Sequence, residues 1–297
     1  MDWLKKLFGG GKKAEAEAKS TQKNGFSEAA QATRENRIAE ARGILVVLAE
    51  EALATYRGMP GSAYLERHGL KLLGPSTCYS IALGLAGYSD RAKELLSTSL
   101  ARELASAKES SNPEYGAEEA TKIALAYTLI GDRSAARQAF EAMSKQVGYI
   151  SNAGAKTHQM IDAAKAARAG NEDELCSTML AEARKAAESM RRTSISFSSR
   201  SGEVVPGTPE HAQVAGSWAN SLLKEVDDAG AEIREQPTGV EGTFAAYCRK
   251  LHLDDFLHAI DNDVPSAIHA AGSIDESYGR LVAIVTVLAK LYDRSGQ

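Results

Sequence analysis

"YTLIGDRSAARQAF", residues 127–140, is a helix-forming run that breaks at Gly131-Asp132 and resumes at once. Alanine, leucine and arginine are strong helix formers, so the break has a cause other than poor propensity. A glycine closes a helix in the left-handed conformation at little steric cost. Asp132 can then accept from the free amides that open the next helix. The stretch therefore predicts the corner of a helical hairpin. Three other places look alike: Gly87 heads "GYSDRAKELL", Gly170 heads "GNEDELCSTML" and Asn262 heads "NDVPSAIHA". The intervals are 44, 39 and 92 residues, the last close to two units. Ala92, Ala136 and Ala267 each follow their break by five residues, where a small side chain lets two helices approach. A hairpin with one apolar face cannot bury it alone, so neighbouring hairpins are expected to stack.

The same helical period extends outward from this corner. Ile38, Ala41, Ile44, Leu45 and Leu48 recur at three- and four-residue spacing, as one buried helical face requires. Like periodicity marks 78–86, 91–105, 117–130, 133–147, 158–169, 173–190, 212–226, 243–260 and 279–292. The seven prolines fall between these segments or at their starts, where proline is tolerated. Long alternating strand patterns are missing. The fold class read from the sequence is all-α, a stack of helical hairpins forming an α-solenoid or α-α superhelix of ten to twelve helices. Residues 26–297 are read as one repeat domain. Residues 1–25, with three consecutive glycines and polar stretches, are read as a flexible tail. Residues 191–208, "RRTSISFSSRSGEVVPGT", are read as a small hairpin or an irregular loop. Thr208-Pro209 restarts a helix after them.

Composition limits the function classes. The net charge of -4 gives a nucleic-acid role no global electrostatic support, so no nucleic-acid partner is expected. Cys78, Cys176 and Cys248 are far apart and form no CxxC pair. They read as buried thiols of a reducing compartment. No run approaches the roughly 18 to 20 apolar residues of a membrane span, and lysines split the apolar residues at the N-terminus, so no export signal is read. The expected location is the cytoplasm, with peripheral contact at the inner membrane face as an added option.

Ala124, Tyr127, Gly131, Asp132, Ala136 and Phe140 fall in the register of a known pattern: small residue, aromatic, Gly-Asp, alanine, aromatic. In this the chain resembles the tetratricopeptide repeat family over roughly 117–150. The likeness is looser over 73–106, where Leu83 and Leu96 replace the aromatics, and looser again beyond. Met143 stands where the family has a small residue. The resemblance implies that the first helix of each unit lines a concave face that binds a peptide or partner helix. Carried onto this sequence, the binding positions are Glu118, Thr121, Leu125, Thr128 and Leu129, with Thr77, Ile81, Met160 and Arg168 on the neighbouring units. These include no basic row of the kind that grips a partner's terminal carboxylate.

Two other constellations compete with that reading. Trp3, Leu4, Leu7 and Phe8 share one face of a short amphipathic segment beside Lys5 and Lys6, which suits weak attachment to an anionic membrane. His252, Asp254, Asp255, His258, Asp261, Asp263 and His269 place carboxylates and imidazoles at helical spacing, the residue types of a zinc or iron site. That cluster lacks HExxH, and its acids also read as helix caps. Arg191-Arg192-Thr193-Ser194 reads as a phosphorylation or acidic-partner contact. No phosphate-binding glycine loop and no nucleophile elbow occurs. The expectation is therefore a non-enzymatic adaptor or scaffold for a protein or peptide partner, without cofactor. The alternatives are a peripheral membrane recruiter and an α-helical metalloenzyme.

Overall fold

The computed structural model describes residues 24–56, 73–192, 197–199 and 202–294. These contain thirteen α-helices: α1 (24–34), α2 (Ile38–Ala54), α3 (Pro75–Leu85), α4 (Ser89–Glu109), α5 (Pro113–Leu129), α6 (Arg133–Tyr149), α7 (Ala153–Ala169), α8 (Asp173–Ser189), α9 (Pro209–Glu235), α10 (Gly239–Lys250), α11 (Asp254–Asn262), α12 (Val264–Gly272) and α13 (Ser277–Arg294). The all-helical class is as the periodicity requires. Between α8 and α9 a 3-10 turn (Met190–Arg192) precedes a short antiparallel pair, β1 (Phe197–Ser199) with β2 (Gly202–Val204). No described helix is long and apolar enough to cross a membrane. The candidate membrane residues Trp3, Leu4, Leu7 and Phe8 lie outside the described residues.

The described residues fall into two compact units. The first draws on residues 24–56, 73–93 and 240–294, the second on 94–239, with the division inside α4.

In the first unit α13 is the central element. Leu281, Ile284, Val285, Leu288 and Leu291 are enclosed on every side, as expected for a helix that is apolar all round. It packs against α2, α3 and α12. Tyr278 closes its N-terminal end by donating its hydroxyl to the Leu73 carbonyl at 2.6 Å. Cys78 lies beside the same carbonyl, and burial pushes its thiol up to about 12. Cys248 faces Thr286 Oγ1 at 3.5 Å, and burial pushes it up to about 11. All three cysteines are free and buried. The apolar period read across 243–260 proves to be two helices, α10 and α11, broken at His252, whose φ is 56°.

In the second unit four successive helices are evenly spaced. Helices α5, α6, α7 and α8 begin at 113, 133, 153 and 173, and each is 17 residues long. The hairpin period is therefore 40 residues, against 34 in tetratricopeptide repeats. Burial follows this period: Ala136, Ala139, Met143 and Val147 on α6 are matched by Cys176, Met179, Ala183 and Ala187 on α8. Ala124, Tyr127, Ala136 and Phe140, which carry the family resemblance, are all buried. Each hairpin packs its two helices together, α5 also packs on α7, and α9 packs on both α7 and α8.

Six helix–helix corners share one backbone motif. Asn36, Gly87, Ser111, Gly131, Asn171 and His252 all have positive φ. At each, this residue and the next donate their amides back to the helix just ended. At the Gly131 corner the bonds are Gly131 N to Thr128 O and Asp132 N to Tyr127 O; at Asn171 they are Asn171 N to Arg168 O and Glu172 N to Ala167 O. This pairing satisfies the last free carbonyls of the helix. Asp132 then caps α6 by accepting from Ala135 N at 3.0 Å; Asn112, Asn152, Thr208 and Asp263 cap α5, α7, α9 and α12 in the same way.

Two expected corners shift. The turn after α7 belongs to Asn171, whereas Gly170 has an ordinary negative φ. Gly170 serves close approach instead, because a Cβ there would lie 2.6 Å from Thr128 Cβ on α5. Asn262 is the last residue of α11, and the chain turns at extended Asp263.

Candidate functional site

The second unit holds a cleft of about 800 Å³, within the size range of ligand sites. Its walls are α7 and α9, with Glu114 from the first turn of α5 and Met190 at one end. Helices α7 and α9 supply nearly all of the lining, and α5 a single residue. Helices α5 and α7 are the first helices of their hairpins, whereas α9 begins 56 residues after the start of α7, off the 40-residue period, and packs on both α7 and α8.

The placement of α9 makes this cleft. His158 Nε2 on α7 lies 2.8 Å from Glu225 Oε2, and Lys165 Nζ lies 3.1 Å from Glu232 Oε2. Both pairs span 67 residues and step seven residues along each helix, so α9 runs parallel to α7. Gln236 Nε2 extends the ladder by donating to the Lys165 carbonyl at 3.1 Å. On the other side Arg184 pairs with Asp227, and Arg191 Nη2 donates to Asn220 Oδ1 at 2.6 Å, so α9 runs antiparallel to α8. The Lys165 ammonium is almost enclosed and the Glu232 carboxylate is half-exposed; the other rungs are solvated. Solvated pairs fix register at little energetic gain. The energy lies in the apolar stripe Ala215, Ala219, Leu222, Val226, Ala229 and Ile233, which is buried along the length of α9.

The cleft has a mixed lining. Glu114, Asp162 and Glu225 bring carboxylates, and His158 an imidazole bonded to one of them. Met190 and Leu222 supply apolar floor. Trp218, 53% exposed, stands at the cleft from α9. Gln159 is 92% buried, and its Oε1 finds no hydrogen-bond partner.

The positions carried over from the resemblance are distributed differently. Leu125 and Leu129 are buried, as is Thr121, whose hydroxyl donates to the Ala117 carbonyl. Thr128 donates to the Leu125 carbonyl at 2.6 Å and lies against Gly170. Met160 is buried, and Arg168 pairs with Asp173 at 2.5 Å. Glu118 pairs with Lys122 at 2.8 Å and occupies on α5 the place that His158 occupies on α7, one period later. Thr77 and Ile81 belong to the first unit, where Ile81 is wholly enclosed. None of the nine lines the cleft.

The His/Asp cluster is also dispersed in its roles. His252 is a left-handed corner residue, Asp263 caps α12, and Asp254 and Asp255 stand in the first turn of α11. Among the described residues no three His, Cys, Asp or Glu side chains converge on a point that could hold a metal ion.

The cleft residues were not legible as a group. Glu114, Asp162 and Glu225 carry no local motif, and Trp218 has no aromatic neighbours in sequence. The one usable signal is the pair of equal spacings, His158 to Lys165 and Glu225 to Glu232. No family model, no curated protein and no solved structure matches this chain.

Proposed function

We propose that the chain is a non-enzymatic adaptor built on stacked helical hairpins, and that a polypeptide partner docks in the α5–α7–α9 cleft. The observation that carries this reading is Trp218, half-exposed at a cleft between α7 and α9. Large amphipathic aromatics at the centre of a contact surface account for much of the binding energy in protein interfaces. The resemblance noted at Ala124–Phe140 implies a partner of the same class. The three thiols are buried, and burial pushes Cys78 and Cys248 up to about 12 and about 11, which speaks against a nucleophilic cysteine at either position.

The test is peptide-display selection against the full chain, followed by amide hydrogen exchange with an enriched peptide bound. Protection centred on residues 153–163 and 214–226, with affinity falling at least tenfold in Trp218→Ser, is the expected outcome. Protection confined to other helices, or affinity unchanged in Trp218→Ser, would refute it.

A further inference from the structure

We infer that the α7–α9 cleft selects a partner side chain bearing a cation, an arginine above all, on the segment it binds. This deepens the reading of the cleft as a polypeptide site and rests on it. Three observations converge. First, the lining holds three carboxylates, Glu114, Asp162 and Glu225, against the single imidazole of His158. A cleft with walls of one sign attracts the opposite charge. Second, Gln159 is among the lining residues, and its buried carbonyl oxygen has no donor. A buried polar atom without a partner is costly, and only a donor satisfies an oxygen. Its terminal torsion is soft, so a modest rotation turns the oxygen to the cleft surface. Third, Trp218, Leu222 and Met190 provide an apolar surface beside these acceptors. A side chain with a long aliphatic stem and several donors at its tip matches all three. Lysine and arginine both have the stem. The guanidinium adds five donors in a planar fork and stacks on aromatic faces, so it can reach a carboxylate and the Gln159 oxygen together while lying against an indole.

An acidic side chain meets the opposite conditions: it leaves the Gln159 oxygen unsatisfied and adds a fourth negative charge, whereas a neutral amide can donate to that oxygen but brings no charge to the carboxylates. Discrimination of this kind, in which the wrong partner strands buried polar groups, is stronger than that available from apolar fit.

The experiment uses the full chain and four blocked heptapeptides, Ac-Ser-Leu-Ala-X-Ala-Leu-Ser-NH2, with X as arginine, lysine, glutamine or glutamate. Calorimetry gives affinities, and amide chemical shifts of α7 and α9 locate the binding. The arginine peptide is expected to bind at least tenfold more tightly than the glutamine peptide and more tightly than the lysine peptide, with the glutamate peptide weakest. Glu225→Gln combined with Asp162→Asn, both read in a chain whose circular dichroism is unchanged, is expected to cut the arginine-over-glutamine ratio below threefold. Gln159→Leu is expected to weaken the arginine peptide about tenfold and leave the glutamine peptide within threefold. Arginine and glutamine peptides that bind the cleft equally would overturn the cation preference while leaving the polypeptide site standing. Peptides that perturb no residue of α7 or α9 would overturn the site itself.

Discussion

Replacing Gly170 by alanine separates a close-packing glycine from a corner glycine. The new methyl would lie 2.6 Å from Thr128 Cβ, with Thr128 Oγ1 nearer still and Cγ2 at 3.0 Å. Thr128 Cβ is fixed by the α5 backbone, so relief requires α5 and the end of α7 to separate. Overpacking of this kind costs about 1–3 kcal/mol. Against it stands about 0.4–1 kcal/mol from the stiffer unfolded chain, because alanine adopts the Gly170 backbone freely. The net expectation is a loss of about 1.3 kcal/mol. Gly131→Ala differs in cause: nothing lies within 4 Å of its Cβ position, but φ is 82°, so the loss is backbone strain of about 1 kcal/mol. Thr128→Ala distinguishes the two. It removes Oγ1 and Cγ2 but leaves Cβ in place, so it should recover about 1 kcal/mol of the Gly170→Ala loss and none of the Gly131→Ala loss. Urea unfolding of the full chain, with hydrogen exchange assigning the transition to α5–α8, reads both double-mutant cycles. A Gly170→Ala chain as stable as the parent, or a cycle without coupling to Thr128, would refute the close contact of α5 with α7 and with it the 40-residue register.

Other outcomes follow from the same structure. Ser111→Gly, at a corner where φ is 52°, should stabilise the second unit by about 0.5–1 kcal/mol in the same urea assay, since glycine removes the left-handed strain and returns only part of it as chain entropy. Alkali should unfold the first unit early. The Cys78 and Cys248 thiols are raised from 9.0 to about 12 and about 11, so the unfolded state releases protons first. The stability they contribute is intact below pH 9 and declines from there toward the folded values, by about 2 kcal/mol per thiol at pH 10.5 at 1.36 kcal/mol per unit. A Cys78→Ala chain should show a shallower alkaline decline by circular dichroism, and an unchanged slope would contradict the burial of that thiol. Glu232→Gln should destabilise the second unit by about 1 kcal/mol by leaving the Lys165 ammonium buried without its partner. Lys165→Met should be near neutral, as thermal unfolding can check.

The helical corners show how far sequence carries the fold. Gly87 and Gly131 announce themselves because glycine is the residue that left-handed backbone favours. Asn36, Ser111, Asn171 and His252 hold the same conformation without that mark, so four of the six corners are not visible as such. The glycine at 170 drew the third corner one residue early, because its reason is a neighbouring helix rather than a turn. The break at His252 was hidden for a related reason: α10 and α11 keep their apolar period across it. The cleft was less legible still. The family resemblance implies groove positions on α5, but most of that helix is buried. Glu114 is the one α5 residue that lines the cleft. The rest of the site depends on where α9 lies, which is set by pairs 67 residues apart and by a stripe of small apolar residues that fits either α7 or α8.

The adaptor reading stands or falls on Trp218. The chain has two tryptophans, Trp3 and Trp218, so in a Trp3→Phe chain the indole emission reports position 218 alone. Titration with a peptide enriched by display should shift that emission to shorter wavelength and saturate at the stoichiometry and affinity found by calorimetry. Emission that stays constant while calorimetry shows the peptide bound would place the partner elsewhere and contradict the account.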